Sequence, residues 1–196
     1  MLLPSDNQDA NTNRSGRIYA TFQNNSEKYI YLISLLSALA IVLQIVESMI
    51  FPPQVIWFRI GLANCISIIA IYLVGINGAM YVVITRTVLA SIFLGTFLSP
   101  PFIISFSSGI VSVIFMGVAK NVFKTFFSPI GISIIGAISH NLTQVFVVVF
   151  MLGFSLDLMQ YLLPILMIGS LFAGFITGYV AKNVINKEEI KKAFSL

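Results

Sequence analysis

The run PIGISIIGAISHNLTQVFVVVFML, Pro129 to Leu152, carries no Asp, Glu, Lys or Arg. A helix needs about 20 apolar residues to cross the ~30 Å hydrocarbon core of a bilayer, and this run supplies them. Pro129 suits the first helical position, where its missing N–H costs nothing. The apolar residues are continuous rather than alternating, so the two-residue period of a membrane barrel strand is absent. The run reads as a transmembrane helix.

Five further segments follow the same pattern on either side of it. A first helix is expected from about Tyr29 to Ile50, stopped by Pro52 and Pro53, which remove donors and disfavour helix before them. A second runs from about Trp57 to Val74 and ends at the turn signal Asn77-Gly78. A third, about Ala79 to Leu98, stops at Ser99-Pro100-Pro101. A fourth covers about Phe102 to Ala119. The run quoted above is the fifth, and a sixth spans about Met159 to Lys182. The expected fold is an all-α integral membrane protein, a single bundle of six transmembrane helices over residues 29–182. Residues 1–28 are expected to form a mobile cytoplasmic tail, and 183–196 a short charged one.

Composition agrees. Hydrophobic residues make up 58% of the 196 and charged residues 9%, against roughly 25% charged in an average soluble protein. So few charges cannot cover a water-soluble globule, and 17 Phe in long apolar runs exclude a disordered chain. The single Cys, Cys65, lies in an apolar run and provides neither a disulfide framework nor a thiolate cluster. The net charge of +4 does not point to nucleic acid. Apart from Arg59 and Arg86, every Lys and Arg lies in a tail or in the short loop after the fourth helix. That distribution fits the cytoplasmic surface of a cell membrane and places both termini in the cytoplasm.

The polar residues inside the spans are the candidate site: Gln44, Glu47, Arg59, Asn64, Arg86, His140, Asn141 and Gln144. Charges in lipid cost several kcal/mol, so such groups face the bundle interior or an aqueous cavity. Glu47 near the end of the first helix and Arg59 at the start of the second either pair to pin that hairpin or edge an external pocket. In the latter case Arg59 offers a planar fork to a carboxylate or phosphate. Arg86 either snorkels toward the inner headgroups or meets an acceptor within the bundle. Two arginines against one glutamate leave a positive excess, which an anionic ligand or lipid headgroup would complement. His140 and Gln144 share a face of the fifth helix. One histidine cannot build a bis-histidine haem or three-ligand zinc site, which leaves an interhelical hydrogen bond, ligand contact or protonation coupled to transport.

Small residues mark helix contacts. Ser170, Gly174 and Gly178 form a small-xxx-small ridge on the sixth helix, Ser34 and Ala38 do the same on the first, and Thr87, Ser91 and Gly95 line the third. None of these ridges reveals whether its partner is internal or another subunit. No G-x-x-x-x-G-K-[ST] loop is present, so the chain does not hydrolyse ATP. Asp6 and Asp9 lie in the tail and Asp157 in a loop, so the acidic pairs that hold Mg²⁺ on a diphosphate are missing. The chain is expected not to be an enzyme and to need no cofactor.

The runs RIGLANCISIIAIYLVG (Arg59 to Gly75), RTVLASIFLGTF (Arg86 to Phe97) and GISIIGAISHNLTQ (Gly131 to Gln144) resemble the Gx transporter family, also labelled heptaprenyl diphosphate synthase component I. That family in turn is similar to the substrate-binding S components of energy-coupling-factor transporters. The resemblance implies a membrane coupling subunit and cytoplasmic ATPases as partners. It also implies a small-molecule ligand of vitamin, flavin or isoprenoid type, held by polar positions that correspond to Arg59, Asn64, Arg86, His140, Asn141 and Gln144. The S-component coupling surface is usually an alanine pair four apart on the first helix, and its nearest counterpart here is Ser34 and Ala38, where serine stands for the first alanine. Links of the family to flavin-based electron transfer and quinone biosynthesis imply an alternative: a non-catalytic membrane subunit that anchors an extracytoplasmic flavoprotein.

Overall fold

The computed structural model describes the backbone of residues 6–50, 61–123, 126–153 and 156–187, with side chains from Ser26 onward except at 152 and 156–162. Within these residues the chain is all helical: α1 (Asp6–Ile50), α2 (Leu62–Leu73), α3 (Gly75–Phe93), α4 (Pro100–Val122), α5 (Pro129–Leu152) and α6 (Leu156–Ile185). All but α2 are long and apolar enough to cross a membrane. The protein is a multi-pass helical membrane protein.

Sequence signals set the ends of α4 and α5. Both begin with Ser as N-cap and Pro in the first turn, and α5 closes at Gly153 in the left-handed conformation. Elsewhere the structure departs from expectation. Helix α1 starts at Asp6 rather than near Tyr29, while its apolar span begins only at Ser26. No proline interrupts residues 6–28, and extending an existing helix adds one hydrogen bond per residue fixed.

Helix α2 is shorter than expected and its exit lies earlier. The chain turns at Val74-Gly75, where Gly75 has φ 76°, so Asn77 and Gly78 sit inside α3 rather than in a loop. At the other end Gly61 has φ 73°, a left-handed backbone that ends α2 without strain only because glycine has no Cβ. The 12 residues of α2 cover roughly 18 Å. Gly61 therefore lies at a depth that the longer neighbouring helices cross.

This short helix is the centre of the bundle. It packs against each of the other five, and its residues from Cys65 to Ile71 are all buried, as befits a helix that is apolar all round. Lys120 of α4 holds its carboxyl end. The ammonium donates to the Ile71 carbonyl at 2.8 Å and lies 4.4 Å from the Tyr72 ring centroid. A cation there complements the negative end of the helix. Around α2, α1 packs on α3, α3 on α4, α4 on α5, and α5 on α6. Helix α6 runs on through Pro164, whose lost donor neighbouring helices make tolerable in a membrane.

Candidate functional site

Five helices bring polar side chains to one place beside the amino end of α2. Glu47 of α1 and Arg86 of α3 are 5% and 4% exposed, inside an otherwise apolar bundle. Both burials have local causes. The Glu47 Oε1 accepts the Gly61 N–H at 2.6 Å, a charge-assisted bond at the positive end of α2. Only a glycine gives residue 61 the left-handed turn that aims this N–H at Glu47. The Arg86 guanidinium donates through Nη2 to Asn64 Oδ1 at 3.0 Å and interacts electrostatically with Glu47. Its Nε–H is buried and has no hydrogen-bond partner among the described residues. Most buried polar groups are paired, so such a donor stands out.

These residues line a cavity of about 30 Å³, the volume of about one water molecule. Gln44 and Glu47 contribute from α1, Gly61, Ala63 and Asn64 from the start of α2, Arg86 and Thr87 from α3, Ser105 from α4 and His140 from α5. A second cavity of about 220 Å³ adjoins it between α1, α3 and α4, and the two share Gln44, Thr87 and Ser105. Its remaining wall is Ser48, Ser91, Leu94, Thr96, Pro101 and Phe102, so it lies by the α3–α4 connection. The hydroxyl of Thr87 is bonded back to its own helix at Val83 O, 2.8 Å, so its oxygen faces the cavity chiefly as an acceptor.

On the α5 side, the Gln144 amide lies 3.1 Å from His140 Nε2, and the Ser108 hydroxyl reaches the same nitrogen at 3.5 Å while bonded to Ile104 O at 2.6 Å. His140 is therefore oriented from α4 and α5 together. Gly109, one residue on from Ser108, leaves clearance for Val83 of α3, one turn before Arg86. A Cβ there would stand 2.9 Å from Val83 and 3.8 Å from Arg86 Nη2.

Of the residues expected to bind a ligand, Glu47, Asn64, Arg86 and His140 meet at one cavity, and Gln144 supports His140. Asn141 does not join them. Its amide donates to Ser170 Oγ at 2.7 Å across the α5–α6 contact, because adjacent residues on a helix point about 100° apart. Arg59 lies outside the described residues, so the positive excess expected from two arginines reduces, among those described, to one arginine and one glutamate. The sequence points to Thr87 only as part of the small-residue ridge of the third helix, and does not single out Ser105, Ser108 or Gly61. Only the Ser105/Ser108 spacing on one face of α4 carries any signal of them.

The ridges expected at partner contacts divide as well. Ser170, Gly174 and Gly178 are buried and are taken up inside the chain, with α5. A Cβ on Gly174 or Gly178 would lie 2.7 Å from the Cα of Ile134 or Ile130. Ser34 and Ala38 are exposed on the outer face of α1.

No curated protein and no solved structure matches the chain. A family model described as heptaprenyl diphosphate synthase component I matches residues 36–184, which takes in every described residue of the cavity, the last third of α1 and nearly all of the other five helices. The chain thus belongs to the heptaprenyl diphosphate synthase component I family, the Gx transporter family that its motifs resemble.

Proposed function

We propose that the protein is the substrate-capture subunit of an ATP-driven importer of the energy-coupling-factor type, holding a small molecule in the cavity beside Arg86 and doing no catalysis itself. The observation that carries this reading is the convergence of Glu47, Asn64, Arg86 and His140 from four helices on one cavity that continues into a larger chamber. Arg86 also keeps a buried donor without a partner among the described residues, an uncommon state for a buried polar group. In this reading the termini are cytoplasmic, since the basic residues outside the bundle lie on that side. The exposed Ser34 and Ala38 on α1 meet the membrane coupling subunit, and two cytoplasmic ATPases supply the energy that the chain has no motif to convert. Prenyl-diphosphate synthesis is set aside because the sequence has three aspartates, none paired with another at a helical spacing inside a span.

Affinity purification of the tagged protein from its native membrane tests this. Recovery of a membrane coupling protein and ATPases supports the reading. Transport by the chain alone in proteoliposomes, or recovery of an extracytoplasmic flavoprotein in place of ATPases, refutes it.

A further inference from the structure

We infer that Lys120, at the opposite end of α2 from the cavity, is a positioning residue for that cavity and acts on it through α2. The inference deepens the capture reading by naming what sets the geometry of its site, and it rests on that reading only for the use to which the cavity is put.

Helix α2 brings Gly61, Ala63 and Asn64 to the cavity. Its residues from Cys65 to Ile71 are buried and, apart from Ser67, apolar. Attraction between apolar surfaces has no direction, so it fixes α2 in the bundle more firmly than it fixes the rotation and depth of the helix. Hydrogen bonds do have direction. Among the described residues, side chains of three other helices supply them to α2. Glu47 of α1 accepts from the Gly61 N–H at 2.6 Å, Arg86 of α3 donates to Asn64 Oδ1 at 3.0 Å, and Lys120 of α4 donates to the Ile71 carbonyl at 2.8 Å. The first two belong to the cavity, and the third is remote from it.

Position along the helix ties them together. Seven residues make two turns less about 20°, so Asn64 and Ile71 stand one above the other on α2, roughly 10 Å apart. A rigid helix bonded to α3 at one of these points and to α4 at the other has its rotation and depth set jointly. The Val74-Gly75 connection to α3 does not replace Lys120. Gly75 lies at φ 76° and a Cβ there would meet nothing within 4 Å, so that tether is permissive. Ile71 is 0% exposed, and its carbonyl lies in the last turn of α2, where intrahelical partners run out. Loss of Lys120 removes three things there at once: the bond, the cation at the negative helix end and the contact 4.4 Å from the Tyr72 ring centroid. The helix then settles where its last carbonyls find other donors, and Asn64 and Gly61 shift with it.

The chain carries its own reporter. Cys65 is the only cysteine, adjoins Asn64 and is 7% exposed, so its reaction with N-ethylmaleimide reads the placement of α2 at the cavity end. Labelling of the purified full chain in detergent, followed by intact mass, tests the assignment. Lys120→Met should speed labelling of Cys65 by about tenfold, the worth of one buried hydrogen bond in a local opening. Lys120→Arg keeps a cationic donor and should restore the slow rate. Lys120→Gln keeps a shorter, uncharged donor and decides the matter if Lys120→Met does not fold; it should speed labelling by about threefold. A cysteine placed at Ser170, 0% exposed in the α5–α6 contact, in a Cys65→Ser background should label no faster when Lys120→Met is added. An unchanged Cys65 rate in the folded Met or Gln variant, a Lys120→Arg rate as fast as that of Met, or equal acceleration at residue 170 would each overturn the assignment, the last by showing general loosening instead. The labelling needs neither ligand nor partner, so it can fail while co-purification upholds the capture reading, and the reverse.

Discussion

The α5–α6 seam and the α1–α3–α4 side of the bundle draw on the same kinds of residue, yet they use them differently. At the seam the described side chains of Ser133, Asn141, Ser170 and Thr177 all find partners within the chain. Asn141 bonds Ser170, Ser170 also bonds Leu166 O at 2.7 Å, and Ser133 and Thr177 join at 2.9 Å. Gly174 and Gly178 then let α6 approach the α5 backbone. On the other side an arginine and a glutamate are buried with one donor left over, next to two joined cavities. Polar residues that complete each other's hydrogen bonds hold helices together, and polar residues left incomplete beside open volume are available to a ligand.

The sharpest way to break this contrast is at Arg86. Arg86→Leu removes the donor to Asn64 Oδ1 and the positive charge that acts on buried Glu47, and should cost about 3 kcal/mol. Thermal unfolding in detergent should show a large fall. A negligible change would mean that the pair is screened by water and that the cavity is wetter than its burial indicates. Next comes the seam. Gly178→Val sets a side chain against the Ile130 backbone 2.7 Å away, and overpacking of this kind costs about 1–3 kcal/mol. Its effect should appear in yield and melting temperature, with any ligand affinity of the folded fraction unchanged. The smallest effect belongs to Asn141→Leu, about 0.6–1.7 kcal/mol in keeping with interhelical hydrogen bonds in membranes. Ser170 keeps its Leu166 bond, so no orphan is created there. A loss of ligand binding in a folded Asn141→Leu protein would place Asn141 at the site after all.

Much of this was legible in the sequence, for identifiable reasons. Helix α5 matches its expected bounds because Ser128, Pro129 and Gly153 act locally. Glu47, Asn64, Arg86 and His140 were recognisable because polar groups in apolar runs are costly in lipid wherever they sit. The start of helix α2 was not legible. Its start depends on the positive φ of Gly61, and that glycine's role comes from Glu47, 14 residues away. The Asn77-Gly78 signal gave way to Val74-Gly75 because turn propensity is local and weaker than tertiary packing. Ser105 carries no such signal, and Thr87 reads as a helix-contact residue rather than a cavity one, since hydroxyl residues are commonplace in membrane helices and usually bond their own backbone. The split between Asn141 and its neighbour His140 needs the rotation of α5, which depends on where α4 and α6 pack.

The central claim is that a small molecule is held at Arg86 and not along the seam. Native mass spectrometry of the purified protein, set beside its Arg86→Lys and Asn141→Leu variants, tests it most directly. Arg86→Lys keeps the charge while removing the planar donor set, so both variants can be compared at matched stability. The account predicts a small-molecule adduct on the unaltered protein and on Asn141→Leu, and its loss on folded Arg86→Lys. An adduct that survives Arg86→Lys undiminished, or one that disappears with Asn141→Leu, would contradict it.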